Sequence, residues 1–136
     1  MSRQVRRVPG SWEHPKQANG RYVPLDDGLL HDLEEWQARG EPAGERPDPA
    51  SYMPDWPVAE RTHYQMYETT TEGTPMSPPM ATPEELARWL VTNRVSLYAC
   101  GKNAVYGTYG EWLRLIRSGD LYIPSVTKSS DLFPAP

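Results

Sequence analysis

Residues 61–90 read RTHYQMYETTTEGTPMSPPMATPEELARWL, and the way this stretch divides decides the fold class. Its first part alternates, with Thr62, Tyr64 and Met66 on one side and His63, Gln65 and Tyr67 on the other. That alternation and the richness in Thr and Tyr favour a half-buried strand; a helix begun at Pro57 is the competing reading. TEGT then reads as a turn, with Gly73 supplying an unusual backbone angle, and PMSPPM as an extended edge segment, because proline cannot donate to a ladder. Thr82-Pro83-Glu84-Glu85 is the clearest local signal: an N-cap threonine, proline at the first helical position and a glutamate completing the capping box. Leu86, Trp89 and Leu90 form the stripe of a helix expected to run to about Asn93. A hairpin-like ribbon followed by a helix predicts an α+β fold.

The segments on either side extend that pattern. VSLYAC fits a short strand and GKNAVYG a loop, and Thr108 with Glu111 repeats the capping-box logic. The last helix presents Tyr109, Trp112, Leu113 and Ile116 and is stopped by Gly119. Toward the N-terminus, Leu29, Leu30, Leu33 and Trp36 recur at helical spacing between Asp27, a candidate N-cap, and Gly40, placed to stop the helix. RRVPGSWEHPKQANGRYVPLDDG is expected to be irregular, with a turn at Asn19-Gly20. Prolines 42, 47, 49, 54 and 57 make EPAGERPDPASYMPDWP an extended strap anchored by Tyr52, Met53 and Trp56. The expectation is a small single domain with a short β-hairpin or ribbon, two to three short helices and extended proline-rich loops. Its parts are a basic extended arm (1–26), a short acidic helix (27–40), a proline-rich strap (41–57), an α+β core (58–123) and an extended tail (124–136).

A chain of 136 residues supports one modest core. With 15 Pro, 10 Gly and only 38% hydrophobic residues, much of it is turn and loop. Five Trp and eight Tyr offset the shortage of aliphatics and predict a small, aromatic-rich core. The one cysteine, Cys100, excludes an internal disulfide and fits a reducing compartment. No apolar run approaches the roughly 20 residues that span a bilayer, and no apolar stretch follows the basic start as in a signal peptide. A soluble protein of the cytoplasm is expected.

The net charge of −4 is unevenly spread. Arg3, Arg6, Arg7, Lys16 and Arg21 lie before residue 24, whereas Asp26, Asp27, Asp32, Glu34, Glu35, Glu41, Glu45, Asp48, Asp55 and Glu60 follow it against Arg39 and Arg46. A few basic residues beside an acidic body argue against direct nucleic-acid binding, and the arm is expected to fold back on its own acidic segment.

Several residues bear on chemistry. Cys100 and His63 have the types needed for a nucleophile and base, but no motif orients the thiol, and a small buried cysteine is the simpler reading. His31 and Glu34 share a helix face at i, i+3, one pair where a tight metal site needs three or four ligands. GKNAVYGTYG lacks Walker A spacing. Thr69-Thr70-Thr71 and Ser77 offer hydroxyls to a ligand, although threonine is also simply a good strand residue. Trp12, Tyr52, Trp56, Tyr64 and Tyr67 can serve as interface anchors or as core filling. No cofactor or metal is expected.

The segments RRVPGSWEHP, GRYVPL, YMPDWP, RTHYQMYETTTEGTPMSP and TPEELARWL together resemble a group of small uncharacterised proteins encoded in tailed-phage and prophage genomes. The similarity covers residues 3–25 and 52–93 best, with a looser match in TYGEWLRLIR. In that group the region between GRYVPL and YMPDWP is variable and often longer, so this chain looks like a shortened member. The resemblance transfers no catalytic residue; it implies a phage gene product acting inside a bacterial cell. The leading expectation is a non-enzymatic binding protein that modulates or inhibits a host protein, such as a defence or nucleic-acid-binding complex, in the host cytoplasm. Its expected contact residues are Trp56, His63, Tyr64 and Tyr67 on the ribbon, with Asp26, Asp32, Glu34 and Glu35 steering toward a basic partner. Two other classes stand beside it: a virion or assembly component whose straps order on neighbouring subunits, and a small enzyme using His63 with Cys100 or the threonines.

Overall fold

A computed structural model describes residues 3–71, 73–98 and 101–118. Gly119 and the tail YIPSVTKSSDLFPAP lie outside the described residues. The elements run β1 (Arg3–Val8), α1 (Leu29–Ala38), β2 (His63–Glu68), β3 (Thr74–Pro75), α2 (Pro83–Thr92), β4 (Ser96–Tyr98), β5 (Val105–Tyr106) and α3 (Tyr109–Ser118). These make a small α+β domain with two antiparallel sheets, β1-β2-β3 and β4-β5.

The strand read from the alternation is present, but it is central rather than half-buried. Gln65, Met66 and Tyr67 are all buried, because β1 pairs along its whole length, Val5 opposite Met66 and Val8 opposite His63. Directly opposite residues of an antiparallel pair share a face. One face therefore carries Arg3, Val5, Arg7, Tyr64, Met66 and Glu68, and the other carries Gln4, Arg6, Val8, His63, Gln65 and Tyr67. Expected as part of an irregular arm, residues 3–8 form an edge strand instead. RQVRRV hides this because Val5 and Val8 fall on opposite faces; cross-strand aromatics supply what apolar alternation does not. The Arg7 guanidinium lies 4.0 Å from the Tyr64 ring centroid and that of Arg6 4.3 Å from the Tyr67 ring. Arg3, 3% exposed, donates to the Ser96 carbonyl at 3.0 Å, to Ser96 Oγ at 2.9 Å and to Glu68 at 3.3 Å, tying the two sheets together.

The other edge is proline-limited, as the sequence implies. After β3, Pro78 and Pro79 have no N–H for a regular ladder, and the chain stays beside β2 through isolated contacts. Met76 donates to the Met66 carbonyl at 2.7 Å, and Tyr64 and Met80 exchange both backbone bonds at 2.7 and 2.8 Å. Between them the Ser77 hydroxyl accepts from the Met66 N–H at 3.0 Å in place of a backbone acceptor. Thr69–Thr71 lie in the turn rather than the strand, where Gly73 takes φ 101°. A Cβ at Gly73 would sit 1.8 Å from the Leu25 carbonyl oxygen, so only glycine fits.

Helix α2 begins as expected: Thr82 Oγ1 accepts from the Glu85 N–H at 3.0 Å, with Pro83 at the first position. Its end differs from the usual glycine stop. Arg94 occupies the left-handed region at φ 51°, and the Val95 and Arg94 N–H groups bond back to the carbonyls of Leu90 and Val91, a Schellman closure. Burial of the helix and stacking of Arg94 4.4 Å from the Tyr106 ring offset the strain of a Cβ at this φ. Tyr106 belongs to β5, a strand inside the segment expected to be a loop. The capping box of α3 is reciprocal: Glu111 N–H donates to Thr108 Oγ1 at 3.1 Å, and Thr108 N–H to Glu111 Oε1 at 2.8 Å. Met66, Leu86, Ala87, Leu90, Trp112 and Ile116 close the core between β2 and the α2–α3 pair.

The second cluster lies against the opposite face of β2 and consists of Val8, Leu25, Met53 and Tyr67, flanked by Trp12, Val23 and Trp56. Of the three expected strap anchors, Met53 and Trp56 enter it, whereas Tyr52 turns to α1. The Asp26 N–H donates to Ser51 O at 2.9 Å and the Met53 N–H to Asp26 O at 2.8 Å.

Candidate functional site

Helix α1 stands apart from both cores. Its N-cap is Gly28 in the left-handed region, not Asp27, and no side chain caps it. Its C-terminus is closed by a Schellman motif: with Gly40 at φ 88°, Gly40 and Glu41 donate to the carbonyls of Gln37 and Trp36 at 3.0 Å each. The predicted stripe of Leu29, Leu30, Leu33 and Trp36 is there, but none of these residues is buried, and Leu30 is 70% exposed. Trp36 is half covered by the loop after the helix, where its indole N–H donates to the Pro42 carbonyl at 3.0 Å. What holds α1 to the strap is polar: the Tyr52 hydroxyl donates to Asp32 Oδ2 at 2.5 Å, a bond that pushes the phenol up to about 12.

Between α1 and the strap runs an open groove of about 430 Å³, lined by Leu29, Leu30, Leu33, Met53 and Pro54 with Asp27 and Asp55. Arg61 also borders it but is already engaged, donating to the Trp56 carbonyl at 2.9 Å and to Asp55 at 3.1 Å. Glu34 and Glu35 are exposed on the helix, Glu35 lying 3.7 Å from His31 Nε2. No ion pair engages Asp27, Glu34 or Glu60 among the described residues. The other cations of the acidic segment are spoken for: Arg39 pairs with Glu45 at 2.8 Å, and Arg46 lies 5.7 Å from the Trp36 ring.

The ribbon residues expected to share one contact surface do not. Tyr67 is 0% exposed, so it is core and not an anchor for a partner. His63 lies on the Tyr67 face with its ring packed over Gly10, where a Cβ would come within 2.6 Å of the imidazole. Tyr64 points the other way, covered by Arg7. Trp56 is half-buried, edge-on to Trp12 at 4.8 Å. Asp26 and Asp32 are half-buried and bound up in the strap connection. Of the eight residues, Glu34 and Glu35 alone are fully at the surface. The groove residues Leu30, Asp27 and Asp55 were missed as contact residues; the apolar stripe pointed to the helix face but gave no sign that none of it would be buried.

Among the described residues neither chemical reading gathers a site. Ser77 is buried and committed to the backbone of β2, Thr71 bonds Thr74 at 2.5 Å, and Cys100 lies outside the described residues. No group of three or more potential metal ligands occurs among the described residues.

A polar network with unusual proton demands occupies the second core. The Tyr67 hydroxyl accepts from the Trp12 indole N–H at 3.1 Å and lies 2.9 Å from His14 Nδ1 and 3.1 Å from Gln65 Oε1. His14 Nε2 is 2.6 Å from the Val23 carbonyl, which only accepts, so the imidazole proton belongs on Nε2. With His14 neutral, one phenolic proton then faces two acceptors. Burial and the nearby Arg6 guanidinium hold the His14 imidazole below its ordinary range despite the Val23 bond, and burial pushes the Tyr67 phenol up to about 12. Arg6 donates to the Leu25 carbonyl at 2.8 Å and to Gln4 at 2.7 Å; burial lowers its own pKa against the pull of Asp27 and Asp26. The basic arm thus meets the acidic segment at Arg6, whereas Arg3 and Arg7 bind elsewhere.

No known family model, curated protein or solved structure matches the chain. Among the described residues no helix is long and apolar enough to cross a membrane.

Proposed function

We propose that this chain is a non-enzymatic binding protein that modulates or inhibits a host protein, the role implied by its resemblance to phage and prophage gene products. One observation carries the reading: an amphipathic ten-residue helix whose apolar stripe contributes no buried residue, with Leu30 70% exposed, beside an open groove that Asp27 and Asp55 border. A helix this short is marginal by itself and usually draws its stability from packing that stripe. Exposed apolar surface rimmed by polar groups is the signature of an interaction site. The contact surface is therefore the α1–strap face, with the acidic rim steering a basic partner such as a nucleic-acid-binding or defence complex. Affinity capture from a bacterial lysate tests it. The wild-type chain is expected to retain a host protein in a salt-sensitive manner, and Glu34→Lys with Glu35→Lys is expected to release it; a wild-type chain that retains nothing sinks the idea.

A further inference from the structure

We infer that the groove between α1 and residues 53–61 seats an apolar side chain of a partner protein segment whose flanking Lys or Arg residues meet Asp27 and Asp55. This rests on the proposed binding role and specifies the partner's chemistry. The walls are aliphatic: Leu29, Leu30 and Leu33 from the helix, Met53 and Pro54 from the strap. A groove of about 430 Å³ has room for one or two large side chains and not for a whole domain surface. Charge selects what flanks them. Arg61, which also lines the groove, is engaged by Asp55 and the Trp56 carbonyl. Among the described residues Asp27 makes no ion pair, although it attracts the buried Arg6, and the Asp55 side chain, paired with Arg61, is still 97% exposed. An apolar floor beside carboxylates fits the recognition mode in which one face of a short amphipathic segment docks and basic residues hold its register.

Three synthetic peptides of equal length test this with the full chain: an amphipathic Lys/Leu peptide, its Glu/Leu counterpart and a Lys/Ser peptide without apolar residues. Titration followed by isothermal calorimetry is expected to show binding of the Lys/Leu peptide alone. Its affinity should fall at least about fivefold between low and moderate salt. Leu30→Lys is expected to weaken it at least tenfold. Because Leu30 is 70% exposed, that variant keeps the fold, which circular dichroism checks. Asp27→Asn with Asp55→Asn should weaken binding about fivefold while leaving the groove apolar. Equal binding of the Glu/Leu or the Lys/Ser peptide overturns the proposal, as does an unchanged affinity in Leu30→Lys. A sedimenting dimer that Leu30→Lys dissolves would assign the groove to a second copy and overturn it too. The lysate experiment separates the two levels. Capture lost on charge reversal of Glu34 and Glu35 but intact in Leu30→Lys removes the groove and leaves the binding role, whereas no capture removes that role while the peptide titration still decides the groove's preference.

Discussion

On one side of β2, Met66 meets Leu86, Leu90, Trp112 and Ile116 with almost no polar atom among them; on the other, Tyr67 meets Val8, Leu25 and Met53 together with Arg6, His14 and Gln65. Both faces are closed to water, yet they are specified differently. The helix face asks for volume and shape, which several apolar residues supply. The Tyr67 face asks for donors and acceptors in fixed places, since a buried polar group without its partner costs more than the bond itself contributes. That difference explains how a long irregular segment, residues 9–26, holds one conformation: Trp12, His14, Val23 and Leu25 are each fixed by a hydrogen bond or a buried contact to β1, β2 or each other.

The contrast can be broken from either side. Trp112→Ala should cost about 3–5 kcal/mol in urea unfolding, through lost burial and the cavity left behind. A smaller loss would mean that α3 packs loosely. Its indole N–H is the one buried side-chain polar atom without a partner among the described residues, so the loss reflects volume and not a hydrogen bond. Next in size, Gly73→Ala should cost about 2–3 kcal/mol, because the added Cβ collides with the Leu25 carbonyl and strains φ. It should act on the Tyr67 face, loosening residues 9–26 in hydrogen exchange while α2 and α3 stay protected.

Removing a single oxygen sharpens the difference. Tyr67→Phe keeps the ring and should still cost about 1–3 kcal/mol, since Trp12, His14 and Gln65 lose a shared partner. The matched change on the helix face, Leu90→Met, should stay below about 1.5 kcal/mol. Equal costs for the two would erase the distinction.

The smallest effect is a pH dependence confined to the polar face. His14 binds its proton less readily folded than unfolded, so the unfolded chain takes up more protons between the two pKa values. Stability is therefore full above the unfolded value of about 6.5 and declines as pH falls from there toward the lowered folded value. Urea midpoints across that window should show the decline in the wild type and lose it in His14→Gln; an unchanged slope would show that His14 is not its source.

How much of this was legible varied with the range of the interactions involved. Thr82, Pro83 and Glu85, and Thr108 with Glu111, announced two helices because capping is settled within four residues. Gly73 announced its turn for the same reason, although not the Leu25 carbonyl pressed against it. Residues 3–8 did not read as a strand, since Val5 and Val8 serve different faces and the pairing partner lies some 60 residues away. For the candidate site the balance was similar. Leu29, Leu30, Leu33 and Trp36 gave the helix and its apolar stripe, but nothing local reveals whether a stripe will be covered.

The sequence by itself determined where helices start, where prolines forbid regular pairing, and that few aromatics would have to fill a small core. Only the tertiary structure decided that Tyr67 is interior and Leu30 is not, that Ser77 completes a sheet edge, and that Asp32 holds the strap while Glu34 and Glu35 face water. The reason is physical. Propensity and capping are properties of a few adjacent residues, whereas burial depends on which distant surfaces arrive, and here β1 closes over β2 while α1 meets only the strap and the loop that follows it.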